Sequence, residues 1–111
     1  MPVAVIQEWA GAGHDTTNYD EISRRMGVQG DPPAGLIVHT AGTTGDGDFR
    51  ISDVWETREA WEAFRDERLM PTVERVISEL PPERRASSGP PATQVYELYD
   101  LIRPEPGVLR R

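Results

Sequence analysis

Cysteine and lysine are both missing from this chain of 111 residues. Without cysteine there is no disulfide framework and no thiolate nucleophile. Without lysine there is no Schiff base and no lysine general base. All 12 basic residues are arginine, a usage that a GC-rich genome explains. Positive charge is scarce: 19 acidic residues leave a net charge of -7, which argues against nucleic acid or an anionic membrane as partner. No apolar run approaches the roughly 20 residues that span a bilayer. The N-terminus lacks the basic-then-apolar order of a signal peptide, so a cytoplasmic protein is expected. Also missing are a phosphate-binding loop, a Ser/His/Asp arrangement and any metal-ligand spacing. Gly11-Ala12-Gly13 lacks the remaining glycine of a dinucleotide fingerprint, and His14-Asp15 reads as a solvated pair. No cofactor and no metal are therefore expected.

What is present centres on Ser52 to Phe64 (SDVWETREAWEAF). Phe49 to Glu56 alternates apolar and polar residues and is expected to be a strand. Thr57 is a good helix N-cap, and Glu59 sits near the positive end of the helix dipole. Ala60, Trp61 and Phe64 make one apolar stripe, with Arg58, Glu59, Glu62, Arg65 and Asp66 facing outward. Pro71 interrupts the stripe and should push Met70 out of the helical region. A kink or two helices follow, Pro71 opening the second. Val73, Val76, Ile77 and Leu80 carry the stripe on to Pro81-Pro82.

The remaining elements fall around this corner. Pro2 to Ala10 is a first strand, Thr17 or Asn18 caps a first helix with Asp20 or Glu21 closing a capping box, and Gly27 ends it. Tyr19, Ile22 and Met26 share one face of that helix. Leu36 to Ala41 is a second strand, joined to the third by a loop over 43–48. Residues 81–91 form a polar, mobile connection, and Gln94 to Ile102 alternates as a fourth strand. A single domain over 1–102 and a proline- and glycine-containing tail over 103–111 result.

Strand, helix, strand, strand, helix, strand is the α+β, ferredoxin-like split βαβ order: a four-stranded antiparallel sheet with helices on one face. The strands read as apolar on both faces, and two helices cover only one. A homodimer built on the uncovered face is expected, which also suits a chain too small for complete burial.

Asp53-Val54-Trp55-Glu56-Thr57, running into Glu59-Ala60-Trp61 and Phe64, resembles the strand-to-helix corner of the dimeric α/β-barrel superfamily. Within it the chain is similar to small antibiotic-biosynthesis-monooxygenase-like proteins. That resemblance implies a dimeric α/β barrel with a pocket near Trp55, Trp61 and Phe64. It implies no universal catalytic residue. Haem degradation in that superfamily uses a helix histidine, which the second helix lacks.

His39, one of two histidines, stands alone in an apolar strand and suits general acid or base work near neutral pH. It equally suits a satisfied core or interface position. Two hairpin registers are open. A three-residue loop Gly45-Asp46-Gly47 with Gly47 left-handed sets His39 opposite Asp53 and Ile37 opposite Trp55. Asp53 then orients the imidazole and raises its pKa. A two-residue Asp46-Gly47 turn sets His39 opposite Val54 instead. Trp9, Tyr19, Trp55, Trp61 and Phe64 are the candidate walls of a substrate pocket, with core packing the competing role, for Trp61 above all.

These features, with the resemblance, point to a cofactor-independent enzyme acting on an apolar, enolisable or phenolic small molecule, in secondary metabolism. His39 would move the proton and Asp53 orient it, for monooxygenation or for isomerisation or cyclisation. The alternative is a non-catalytic dimeric module that binds a ligand or stabilises a partner.

Overall fold

Val3, Ala4 and Val5 are buried on both sides of the sheet, and the strand that holds them lies in its interior. In the computed structural model, which describes residues 1–86 and 89–104, that strand is β1 (Val3–Trp9). It is followed by α1 (Thr17–Met26), β2 (Leu36–Thr43) and β3 (Phe49–Trp55). Then come α2 (Arg58–Phe64), a π-helical turn (Arg65–Leu69), α3 (Met70–Ser78), the short α4 (Pro82–Ala86) and β4 (Ala92–Glu97). The sheet order is β2-β3-β1-β4, with every neighbouring pair antiparallel. This is the expected ferredoxin-like arrangement.

The helices cover one face. Val3, Val5, Trp55 and Trp61 form the buried centre, and Leu36, Ala60, Phe64, Leu69 and Val95 pack against it. Trp55 meets Phe64 at a ring-centroid distance of 5.2 Å and Trp61 at 5.9 Å. Thr57 caps α2 as expected, its hydroxyl accepting from the Ala60 N–H at 3.0 Å. The opposite face carries Ala4, Ile6, Val38, Val54 and Tyr96 in cross-strand register. Val38 and Tyr96 are 46% and 49% exposed. Around them lie Thr40, Ser52, Gln94 and an Arg50–Glu8 ion pair at 2.6 Å.

Several boundaries differ from expectation, each for a local reason. Met70 stays helical (φ -62, ψ -42) despite preceding Pro71. A widened turn, in which the Met70 N–H reaches the Arg65 carbonyl, moves the backbone away from the proline ring. The Thr72 hydroxyl then donates to the Arg68 carbonyl at 2.8 Å. Pro71 does lie at the start of α3. Thr16 rather than Thr17 or Asn18 occupies the N-cap of α1, because the Asp15 carboxylate accepts from the Thr17 N–H at 3.0 Å. Glu21 is taken up by Arg24 and Arg25 instead of closing a capping box. The fourth strand stops at Glu97. Leu98 donates to the Pro2 carbonyl, beyond which β1 offers no partner, and Tyr99 and Ile102 are exposed. Within the 81–91 connection, α4 forms where Arg84 and Arg85 donate to the Pro81 carbonyl. Of the tail assigned to 103–111, residues 105–111 lie outside the described residues.

Candidate functional site

The hairpin between β2 and β3 decides where His39 points. Thr44 donates to the Asp48 carbonyl at 2.8 Å and Gly47 to the Thr44 carbonyl at 3.0 Å. Gly47 has φ +84, the left-handed conformation that glycine adopts without strain. The loop is thus the three-residue one, and His39 stands opposite Asp53. Ile37 does not stand opposite Trp55. A bulge between Leu36 and Val38 pairs Leu36 with Trp55, placing Leu36 against the core.

The carboxylate of Asp53, 5% exposed, lies 2.6 Å from Nδ1 of His39. The other ring nitrogen, Nε2, lies 2.7 Å from the hydroxyl of Tyr19. An ionised carboxylate only accepts, so Nδ1 carries the proton. In neutral His39, Nε2 is then left to accept from Tyr19. Phenol, imidazole and carboxylate form one hydrogen-bonded chain running from α1 across β2 to β3. The hydrogen bond that His39 donates to Asp53 raises the His39 pKa above 6.5; burial opposes it and the charge of Asp53 adds to it. Burial raises the Tyr19 pKa, helped by the negative charges of Asp53 and Asp20. Both shifts thus run upward, favouring the charged imidazole and the neutral phenol.

Tyr19 is held from several sides. Its ring lies parallel to that of His39, with centroids 6.2 Å apart and planes 4° from each other. It contacts Phe49 at 5.1 Å, and Phe49 contacts Trp9 at 6.1 Å. The loop leading into α1 is fastened to the hairpin. Gly11 donates to Asp48 at 2.8 Å, Gly13 donates to the Gly47 carbonyl at 2.8 Å, and Thr43 donates to the Gly13 carbonyl at 2.9 Å. At the far end of α1, Arg68 of the π-helical turn donates to the Met26 and Asp31 carbonyls.

An open recess of about 440 Å³ adjoins the tyrosine. Its walls are Tyr19, Asp20, Ser23, Arg24 and Gln29 with Gly27 and Gly30. A second recess of about 250 Å³ lies between 33–35 and the second helix, lined by Ala60, Phe64 and Arg68 among others. Neither is lined by Trp9, Trp55 or Trp61. Trp55 and Trp61, at 1% and 3% exposure, belong to the packed core. The Trp55 indole N–H is even buried without a partner among the described residues. Trp9 frames Phe49 at the end of β1 rather than facing Tyr19 directly.

His39, Asp53 and Tyr19 are therefore brought together, whereas the five expected pocket residues divide between two clusters. Sequence reasoning assigned Tyr19 to a pocket wall and missed its hydrogen bond to His39. The available signal was its place on the inward stripe of α1 with Ile22 and Met26. Among the described residues no cluster of three or more histidine or acidic side chains is placed to hold a metal ion.

No family model and no curated protein matches this sequence. Solved structures do match in shape. The Rv0793 protein of Mycobacterium tuberculosis superposes with a TM-score of 0.66 at 17% identity, over 93% of this chain and 100% of that one. A monooxygenase from the ActVA-Orf6 gene of Streptomyces coelicolor, solved with nanaomycin D, has a TM-score of 0.60 at 22% identity, over 94% and 92%. A Listeria monocytogenes ferredoxin-fold protein related to antibiotic biosynthesis monooxygenases gives 0.57 at 12% identity, over 89% and 57%. The chain has the fold of the antibiotic biosynthesis monooxygenase-like proteins. At these identities the likeness concerns the fold.

Proposed function

We propose that the chain is a cofactor-independent enzyme that removes a proton from an enolisable or phenolic small molecule through Tyr19, His39 and Asp53. The observation that carries this reading is the unbroken chain from the Tyr19 hydroxyl through both ring nitrogens of His39 to Asp53, at 2.7 and 2.6 Å. Substrate meets the Tyr19 oxygen in the adjoining recess. As the substrate's proton moves to that oxygen, the phenol's own proton passes to Nε2, and Asp53 holds the resulting imidazolium. His39 is thus the base and Tyr19 the group that touches substrate. Ser23, Arg24 and Gln29 on the recess wall suit carbonyl or hydroxyl substituents. The carbanion so formed reacts with dioxygen, or is reprotonated or cyclised. The fold shared with named monooxygenases favours the first outcome, and this reading puts the protein in secondary metabolism in the cytoplasm.

The protein works in this reading as a homodimer, with Ala4, Ile6, Val38, Val54 and Tyr96 against a second sheet. Sedimentation as a monomer at micromolar concentration would remove that part. For the chemistry, the assay is dioxygen uptake or product formation with nanaomycin D, naphthols and β-diketones, without added metal or flavin. His39→Ala should lower turnover by about 100- to 10,000-fold. A variant with full activity sinks the mechanism.

A second reading, a non-catalytic module that binds a ligand or stabilises a partner, is favoured by one observation: Trp55 and Trp61 fill the space between sheet and second helix. Under it, His39→Ala lowers the melting temperature and leaves ligand or partner binding intact.

A further inference from the structure

We propose that Tyr19 is a site of proton-coupled one-electron oxidation, giving up an electron to an outer-sphere oxidant while its proton moves to His39. A phenol that loses an electron becomes a very strong acid, so oxidation is easy only where a base already waits on the hydroxyl. Nε2 of His39 is such a base, 2.7 Å from the oxygen. Its other nitrogen is held by a buried carboxylate at 2.6 Å, which stabilises the imidazolium that the transfer creates. The step balances simply. The O–H bond of Tyr19 breaks, an N–H bond forms at Nε2, one electron leaves, and the oxidant is reduced by one. The products are a neutral tyrosyl radical and an imidazolium ion paired with Asp53. A one-electron donor reverses it.

The surroundings suit this role. Tyr19 is half-buried and in ring contact with Phe49 at 5.1 Å, which limits radical coupling between molecules. The titratable groups acting on the pair are Asp53 from β3 and Asp20 from α1. The charge of Asp53 favours the positively charged imidazolium. Tyr96 and Tyr99 are exposed, and no hydrogen bond among the described residues gives either of them a base. The oxidants this site would take are those that need no coordination, such as a metal-complex oxidant or a small-molecule radical. The inference shares its residues with the proton relay above but needs no turnover of any substrate.

The test uses the full chain carrying Tyr96→Phe and Tyr99→Phe, which leaves Tyr19 as the sole tyrosine of the original three. Hexachloroiridate(IV) is the oxidant, with stopped-flow absorbance and electron paramagnetic resonance identifying the radical. His39 is titrated separately by NMR. The expected result is a tyrosyl radical whose formation rate falls about tenfold for each pH unit below the measured His39 pKa and levels off above it. His39→Gln in the same background should abolish that pH dependence. If that variant does not fold, the pH series on the parent decides. A radical found only on tryptophan, or a tyrosyl rate indifferent to the His39 titration, overturns the proposal. Neither result bears on turnover, so the enzymatic reading stands or falls separately.

Discussion

Asp53→Asn is the change that separates a relay from a mere polar contact, because it keeps the shape and reverses the hydrogen bond. The carboxylate accepts from Nδ1 at 2.6 Å. An amide in the same place removes the charge that fixes the proton on Nδ1, and when its NH2 donates to Nδ1 the ring proton moves to Nε2. That nitrogen then donates to the Tyr19 oxygen and can no longer take the phenol's proton. Tautomer reversal breaks the chain, and loss of the carboxylate's charge weakens the imidazolium in either amide orientation. If His39 is the base, turnover falls by about 100- to 10,000-fold, with the Tyr19–His39 contact still in place.

The same substitution has a magnitude in stability. A hydrogen bond to a charged group contributes about 1.5–3 kcal/mol. The His39 side chain is 37% exposed, so water screens the pair, and about 1 kcal/mol is the discounted figure. The sign with pH follows from the direction of the shift. His39 has its folded pKa raised above 6.5 by Asp53. The pair's stabilisation is thus fully present below pH 6.5 and is lost as pH rises through the raised value. Wild type and Asp53→Asn should differ most in melting temperature on the acid side and converge on the alkaline side. In the variant, burial acts unopposed, so the His39 pKa should drop below its wild-type value. NMR titration of the two histidines, with His14→Gln as the assignment control, reads this directly. An unchanged His39 pKa in the folded variant would refute the reasoning.

Other substitutions test the frame around the site. Trp61→Ala empties the centre of the core, where Trp61 is 3% exposed, and should cost about 3–5 kcal/mol in urea denaturation. Gly35→Ala should lower stability by about 1–3 kcal/mol, because φ is +85 and the new Cβ would lie 2.5 Å from that of Ala60; a thermal melt reads it. Thr57→Ala removes the acceptor for the Ala60 N–H and should cost about 1 kcal/mol by the same melt.

The strand-to-helix corner was legible because its signals are local. Alternation over 49–55, the Thr57 cap and the Ala60, Trp61, Phe64 stripe each depend on residues a few positions apart. The His39–Asp53 pair was half legible. Pairing rules restrict the register to two choices, but only the positive φ of Gly47 and the Thr44–Asp48 bond select one. Tyr19 is where local reasoning ends. Its meeting with His39 depends on how α1 crosses the sheet, which is set by distant contacts. Gly13 fastens to Gly47, Arg68 to Met26, and Arg25 to Glu79 at 2.6 Å. The π-helical turn was illegible for a related reason. Proline rules forecast a break, whereas burial of Trp61 before the turn and of Val76 after it favours one continuous helical path widened by a residue.

The aromatic residues divide by task, and that division bears on where chemistry is possible. Trp55, Trp61 and Phe64 meet one another at 5.2 to 6.3 Å and fill the space beneath α2, so their contribution is cohesion. Trp9, Phe49 and Tyr19 form a separate run, which ends in the Tyr19 hydroxyl engaged by His39. A buried carboxylate such as Asp53 is costly unless satisfied. A backbone amide would have satisfied it without placing an imidazole on an edge strand that is 37% open at that side chain. Stability alone asks for Asp53 to be paired, but it does not ask for the second nitrogen of His39 to meet a phenol beside an open recess. That extra contact is the feature that core packing leaves unexplained, and it is the reason to look for function at Tyr19 rather than at the tryptophans.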